Sequence, residues 1–190
     1  MPRWEPNAAG RLQEAALDLF TQQGYGRTTV AEIAARAGVT ERTFFNHFTN
    51  KRDVLFGPNS DLLMQIAARE IAASPAGTPP LEAVLHGLQI AADELFDGLQ
   101  EPATRRREVI EATPELQERE ESKRAALAVA MADALRERGL DEESARLTAG
   151  AGLLVQQTAE RRWTEPGGGS ASLRHLLAEA LASLRKAINT

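Results

Sequence analysis

Apolar residues recur at three- and four-residue intervals along most of the chain, the spacing that places them on one side of a helix. Near the start, Leu12, Ala16 and Phe20, flanked by Ala15 and Leu19, predict a helix over 7–24, which Gly24 is placed to end. Further on, Leu81, Val84, Leu85, Leu88, Ala92 and Leu95 form a single stripe over 80–97. Leu173, Leu176, Leu177, Ala180, Leu181, Leu184 and Ile188 cover a broader arc of 172–188. The same reading predicts helices at about 60–73, 102–112, 114–138 and 141–163. The breaks between them carry helix-stop chemistry: Ser74 to Pro80, Thr113-Pro114, Gly139, and Pro166 to Ser170. No alternating Val/Ile/Thr run predicts a strand and no repeat is evident, so the expected fold class is all-α.

Between residues 28 and 50 the helices are short and closely capped. Thr29 is set to cap a second helix while Glu32 reaches back to the cap, and that helix stops near Ala37, before Gly38. Thr40 caps a third helix, Glu41 to about Phe48, and Asn50 a fourth from Lys51. Two short helices joined through a glycine turn, with Ala34, Val39, Phe44 and Phe48 to pack them, predict a helix-turn-helix at about 30–48. Composition changes near its end. Seven of the nine aromatic residues precede residue 57. The first 56 residues hold seven basic against six acidic groups, net +1, and the remainder 15 against 21, net −6. A head of residues 1–57 and a larger, acidic, Ala/Leu-rich body of 58–190 is the expected division, with Phe56-Gly57-Pro58 as the joint.

With Phe44 and Phe48 turned inward, Glu41, Arg42, Thr43, Phe45, Asn46 and His47 face outward. Arg42 suits guanine, Asn46 adenine and the Thr43 methyl thymine. Arg27, Lys51, Arg52 and the backbone amides around Thr29 and Thr40 are placed for phosphates. Glu41 fits better as a dipole partner at the start of its helix than as a base reader.

These residues carry a resemblance. Leu17-x-Leu19-Phe20-x-x-x-Gly24-Tyr25-x-x-Thr28-Thr29-Val30-x-x-Ile33-Ala34-x-x-Ala37-Gly38-Val39-Thr40-x-Arg42-Thr43-Phe44-Phe45-x-His47-Phe48-x-x-Lys51 resembles the DNA-binding signature of the tetracycline-repressor (TetR) family of bacterial transcription regulators. It runs without a gap over roughly 35 residues; beyond Phe56 the likeness is one of length and helical patterning. Position by position it implies phosphate contacts from Thr29 and Lys51, groove contacts from Arg42, Thr43, Asn46 and His47, and packing roles for Phe44 and Phe48. The sequence departs from the family pattern at Phe45, where Tyr is usual and often reaches a phosphate, and at Ala9-Gly10-Arg11, where a polar cap is usual. One lost hydroxyl contact is worth about 0.5–1.5 kcal/mol, too little to abolish binding. Phe45 is left to contact a sugar or a thymine methyl.

The expected function is therefore a DNA-binding transcriptional regulator, a ligand-responsive repressor on a pseudo-palindromic operator. The alternative is a helical binding or scaffold protein whose head does not read DNA. One recognition helix covers half a site, so a homodimer is expected, through helices 141–163 and 172–188. Ala145, Ala149, Gly152 and Ala159 are small enough to permit close approach there, alongside Leu153, Leu154 and Val155. An effector of unknown identity is expected in the body, with His86, Gln89, Asp93 and Gln156 as candidate contacts, although the first three also suit a solvent-facing row. Arg105-Arg106-Arg107 stands among acids (Glu108, Glu111, Glu115, Glu118, Glu120, Glu121) and reads as a salt-bridged face rather than a second nucleic-acid site.

The absence of cysteine removes disulfide and thiolate chemistry. The three histidines, His47, His86 and His175, lack metal-like spacing, and neither a phosphate loop nor a nucleophile elbow is present. No enzyme activity, metal or cofactor is expected. Neither a membrane span nor the apolar core of a signal peptide is visible, so the expected location is the cytoplasm.

Overall fold

The computed structural model describes residues 8–165 and 171–189, and among these the regular elements are helical. In chain order they are α1 (Ala8–Gln23), α2 (Val30–Arg36), α3 (Glu41–His47), α4 (Gly57–Ala73), α5 (Pro80–Phe96), α6 (Gln100–Glu111), α7 (Pro114–Glu137), α8 (Glu142–Trp163) and α9 (Leu173–Ile188). Single 3-10 stretches occur at Tyr25–Arg27 and Lys51–Leu55. The all-α expectation holds for the whole described chain. The helix expected from Lys51 is this five-residue 3-10 stretch, capped as expected by the Asn50 side chain on the Asp53 amide. Pro58 lies within the first turn of α4, where a missing N–H costs nothing, so α4 starts at Gly57 rather than near residue 60. The expected break at Pro166–Ser170 falls outside the described residues.

Backbone contacts divide the chain into two compact units. The first combines the residues up to Pro58 with Arg105–Glu120; the second is Asn59–Thr104 and the chain from Glu121 onward. The sequence expectation assigns 105–120 to the body; the fold groups this stretch with the head. The reason is burial: Val109, Ile110 and Leu116 join Leu12, Phe20, Ile33, Phe44 and Val54 in one apolar core. Polar contacts follow suit. Arg105 bonds Asp18 at 2.6 Å, Arg119 meets Asp53 at 2.8 Å, and Arg106 donates to the Leu55 carbonyl while lying over the Phe56 ring. Arg107–Glu111 and Arg106–Glu120 pair as the salt-bridged reading expects, but Arg105 finds its partner on α1.

The second unit is built on α5, α8 and α9. Val84, Leu88 and Ala92 of α5 pack with Ala145, Ala149 and Val155 of α8 and with Leu177 and Leu181 of α9. The small residues of α8 are therefore spent inside the chain. Ala145, Ala149 and Ala159 are all but fully buried, and a Cβ at Gly152 would meet the Val84 side chain at 2.4 Å. At Gly152 the close approach is that of α8 to α5, and the alanines are buried in the core that α8 shares with α5 and α9. The outward side of α8 instead shows Leu147, 68% exposed, and Leu154, 52% exposed, one heptad apart. Ala178 and Ala182 on α9 are exposed too. A shallow apolar crevice, too narrow for a water molecule, is lined by Leu81, Val84, Leu85, Leu88, Gly152, Val155 and Leu181. Among the described residues no helix is long and apolar enough to cross a membrane.

Candidate nucleic-acid interface

Local chemistry fixes the geometry of α2 and α3 before any packing does. At the start of α2 the Thr29 hydroxyl accepts from the Glu32 amide at 3.2 Å, and the Glu32 carboxylate accepts from the Thr29 amide and hydroxyl, both at 2.8 Å. Those donors hold the Glu32 carboxyl below its ordinary value, the backbone N–H contributing most. At its end Gly38 takes φ +69°. Its amide donates to Ala35 and the Val39 amide to Ala34, the paired bonds that close a helix through a left-handed glycine. The chain is thereby turned into Thr40, whose hydroxyl accepts from the Thr43 amide at 3.1 Å to start α3.

Helical spacing of about 100° per residue then distributes the α3 side chains. Phe44 is fully buried and Phe48 nearly so, their rings 5.5 Å apart. Arg42 and Asn46 stand roughly opposite, both exposed. Glu41 and Phe45 share one flank, Thr43 and His47 the other. Phe45 is 54% exposed, its ring edge-on to Phe44 at 5.4 Å. The Thr43 hydroxyl lies 3.0 Å from that of Thr40, and the Thr43 methyl group carries no competing bond. Thus Arg42 and Asn46 crest an exposed ridge that Phe45 flanks on one side and Thr43 and His47 on the other. Thr29 and Thr40 sit at the two helix starts with their hydroxyls engaged in capping. Arg27, exposed, donates through Nε to the Gln23 carbonyl at 2.7 Å.

Lys51 has a different setting from the one its motif position implies. Its ammonium donates to the carbonyls of Tyr25 and Thr28, each at 2.8 Å, and lies 4.1 Å above the Tyr25 ring. Desolvation lowers its pKa, against the attraction of Glu115 and Glu32. Tyr25, whose phenol burial pushes upward, is the functional neighbour that sequence reasoning missed; a carbonyl 26 residues away leaves no trace in spacing. The lysine ties the entry to α2 to the stretch following α3. Lys51→Met is expected to lower the stability of the DNA-free head by about 1.5–3 kcal/mol, the range for hydrogen bonds to a charged group. A urea midpoint that stays put while DNA binding weakens would leave the ammonium a phosphate ligand only.

The four candidate effector contacts are not brought together. His86 lies 3.8 Å from Glu70, Gln89 donates to the Arg174 carbonyl at 3.3 Å, and Asp93 pairs with the Arg174 guanidinium. These three form the solvent-side row that was the other sequence reading, linking α5 to α4 and α9. Gln156 is buried on α8 and donates to Glu160 at 2.6 Å. None of the four lines the α5–α8–α9 crevice.

Comparison with known proteins agrees with this geometry. Residues 12–56 match the family described as bacterial regulatory proteins, tetR family. The HTH-type transcriptional regulator TcmR of Streptomyces glaucescens is 39% identical over 89 residues, 46% of this chain and 38% of that protein. The chain thus aligns with well under two thirds of that relative's length. Two solved structures share the fold of nearly the whole chain. SmeT, the repressor of the Stenotrophomonas maltophilia multidrug efflux pump SmeDEF, superposes with TM-score 0.55 at 23% identity over 94% of this chain and 89% of its own. The fatty acid degradation regulator FadR from Bacillus halodurans does so with TM-score 0.57 at 17% identity over 95% of each.

Proposed function

We propose that the chain, whose residues 12–56 match the tetR family of bacterial regulatory proteins, is a DNA-binding transcriptional regulator, a repressor that releases a pseudo-palindromic operator when a small molecule binds its body. The observation that carries the reading is the α3 ridge. Arg42 and Asn46 stand exposed opposite a buried Phe44, within the stretch 12–56 that matches the family.

Charge constrains how such a head finds DNA. Residues 1–58 hold seven basic and six acidic groups and residues 105–120 hold four and five, so the head unit is formally neutral. Affinity must come from local contacts at phosphates and base edges rather than from long-range attraction. That makes a second half-site valuable, and the reading includes a homodimer. Leu147 and Leu154 on α8, with Ala178 and Ala182 on α9, supply an exposed apolar surface for it. The effector enters only through its differential affinity for the DNA-competent and DNA-incompetent states. The apolar lining of the α5–α8–α9 crevice favours an apolar effector.

The test is selection of bound duplexes from a random pool by the full chain, with sedimentation to count subunits. A single enriched palindromic site, bound by a dimer, is the expected result. Failure to enrich any sequence would sink the regulator reading and favour a helical binding protein.

A further inference from the structure

Phe45 is the one large apolar side chain exposed on α3. It stands on the ridge beside Arg42 and Asn46, one helical step toward the flank shared with Glu41. Its ring is not loose: the edge-on contact with the fully buried Phe44 braces it. A phenyl ring has no hydrogen-bonding group, so it offers a phosphate nothing. Held in water at 54% exposure, it contributes little to the core either.

What a major groove offers an apolar group is the C5-methyl of thymine. That methyl projects from the pyrimidine toward its own strand's sugar-phosphate wall. A helix whose opposite-facing residues, Arg42 and Asn46, point to the groove floor directs its flanks at the walls. Flank position and apolar chemistry coincide at one residue.

We infer that Phe45 is a specificity-determining residue that reads a thymine methyl group in each half-site. The inference rests on the DNA-binding reading and deepens it. It requires a thymine at a fixed offset from the bases met by Arg42 and Asn46, and discrimination by the methyl group alone. Burying one methyl is worth ~0.8 kcal/mol, which is about fourfold in affinity per half-site.

Deoxyuridine differs from thymidine only by that methyl, which provides the test. Duplexes selected by the wild-type chain are resynthesised with each thymine pair, one symmetric position at a time, changed to deoxyuridine, and binding is followed by fluorescence anisotropy. The wild type is expected to lose about fourfold per half-site at one thymine position. Phe45→Ala binds the thymine duplex more weakly and no longer distinguishes the two. Phe45→Leu, which keeps an apolar side chain and serves should the alanine variant fold poorly, retains a preference for thymine. An enriched site at which no deoxyuridine change matters overturns the inference and leaves the regulator reading standing. So does a Phe45→Ala variant that keeps the wild-type ratio, or one that loses affinity equally on both duplexes, as a sugar contact alone would give. If the wild type enriches no sequence, the regulator reading itself fails, and the inference with it.

Discussion

Phe44→Ala is expected to destabilise the head by about 3–5 kcal/mol, the range for emptying a fully buried phenylalanine site. Phe44 has no exposed surface and shares one core with Leu12 and Phe20 of α1 and Ile33 of α2, so its removal loosens α3 from both. The loss should be local. Hydrogen–deuterium exchange of the full chain is expected to show protection falling through residues 28–56, with the α8–α9 peptides retaining theirs. Sequence-specific DNA binding should vanish with it. Phe45→Ala, one residue on and mostly in water, is expected to shift stability by no more than about 0.5 kcal/mol. Equal losses from the two substitutions would mean that the inward and outward assignment of this helix is wrong.

Asn46→Ala is expected to act on recognition and leave folding alone. A side-chain amide bonded to an adenine edge discriminates by about 1–3 kcal/mol, and a dimer uses two of them. Operator affinity should therefore fall by roughly 30-fold to 10⁴-fold. Binding to random duplex, which rests on phosphate contacts, should hardly change, and the salt dependence should keep its slope because no phosphate contact is removed. Equal weakening on operator and random DNA would remove Asn46 from the readout. Asn46 is exposed on α3, so its replacement has no packing effect to confuse the comparison.

What was legible in the sequence was whatever local chemistry decides. Both caps, the Gly38 turn and the inward pair Phe44 and Phe48 could be placed because each depends on residues within four or five positions. What was not legible depended on distant neighbours. Spacing puts Ala145, Ala149 and Gly152 on one side of α8, but only the fold reveals that this side is buried in the chain's own core, with Gly152 against Val84 of α5. Spacing likewise puts His86, Gln89 and Asp93 in a row without telling whether the row lines a pocket or meets Glu70 and Arg174. Arg105 and Asp18, 87 residues apart, carry no mutual signal, and neither do Lys51 and the Tyr25 carbonyl. The charge of 105–120 suggested a solvated face; its three buried apolar residues, Val109, Ile110 and Leu116, decide where it belongs.

The tightness of the α5–α8–α9 layer has a kinetic consequence. A drug-sized molecule needs a cavity of about 300–1,000 Å³, whereas this layer offers a crevice that does not admit water, with Val84 against the bare backbone of Gly152. Any guest in this layer must wait for the helices to part. The observed rate of its uptake should then stop rising with its concentration and settle at the rate at which the helices separate. The speed of response would be a property of the protein, the same for every molecule that uses this route, with only the lifetime of the complex left to distinguish one from another.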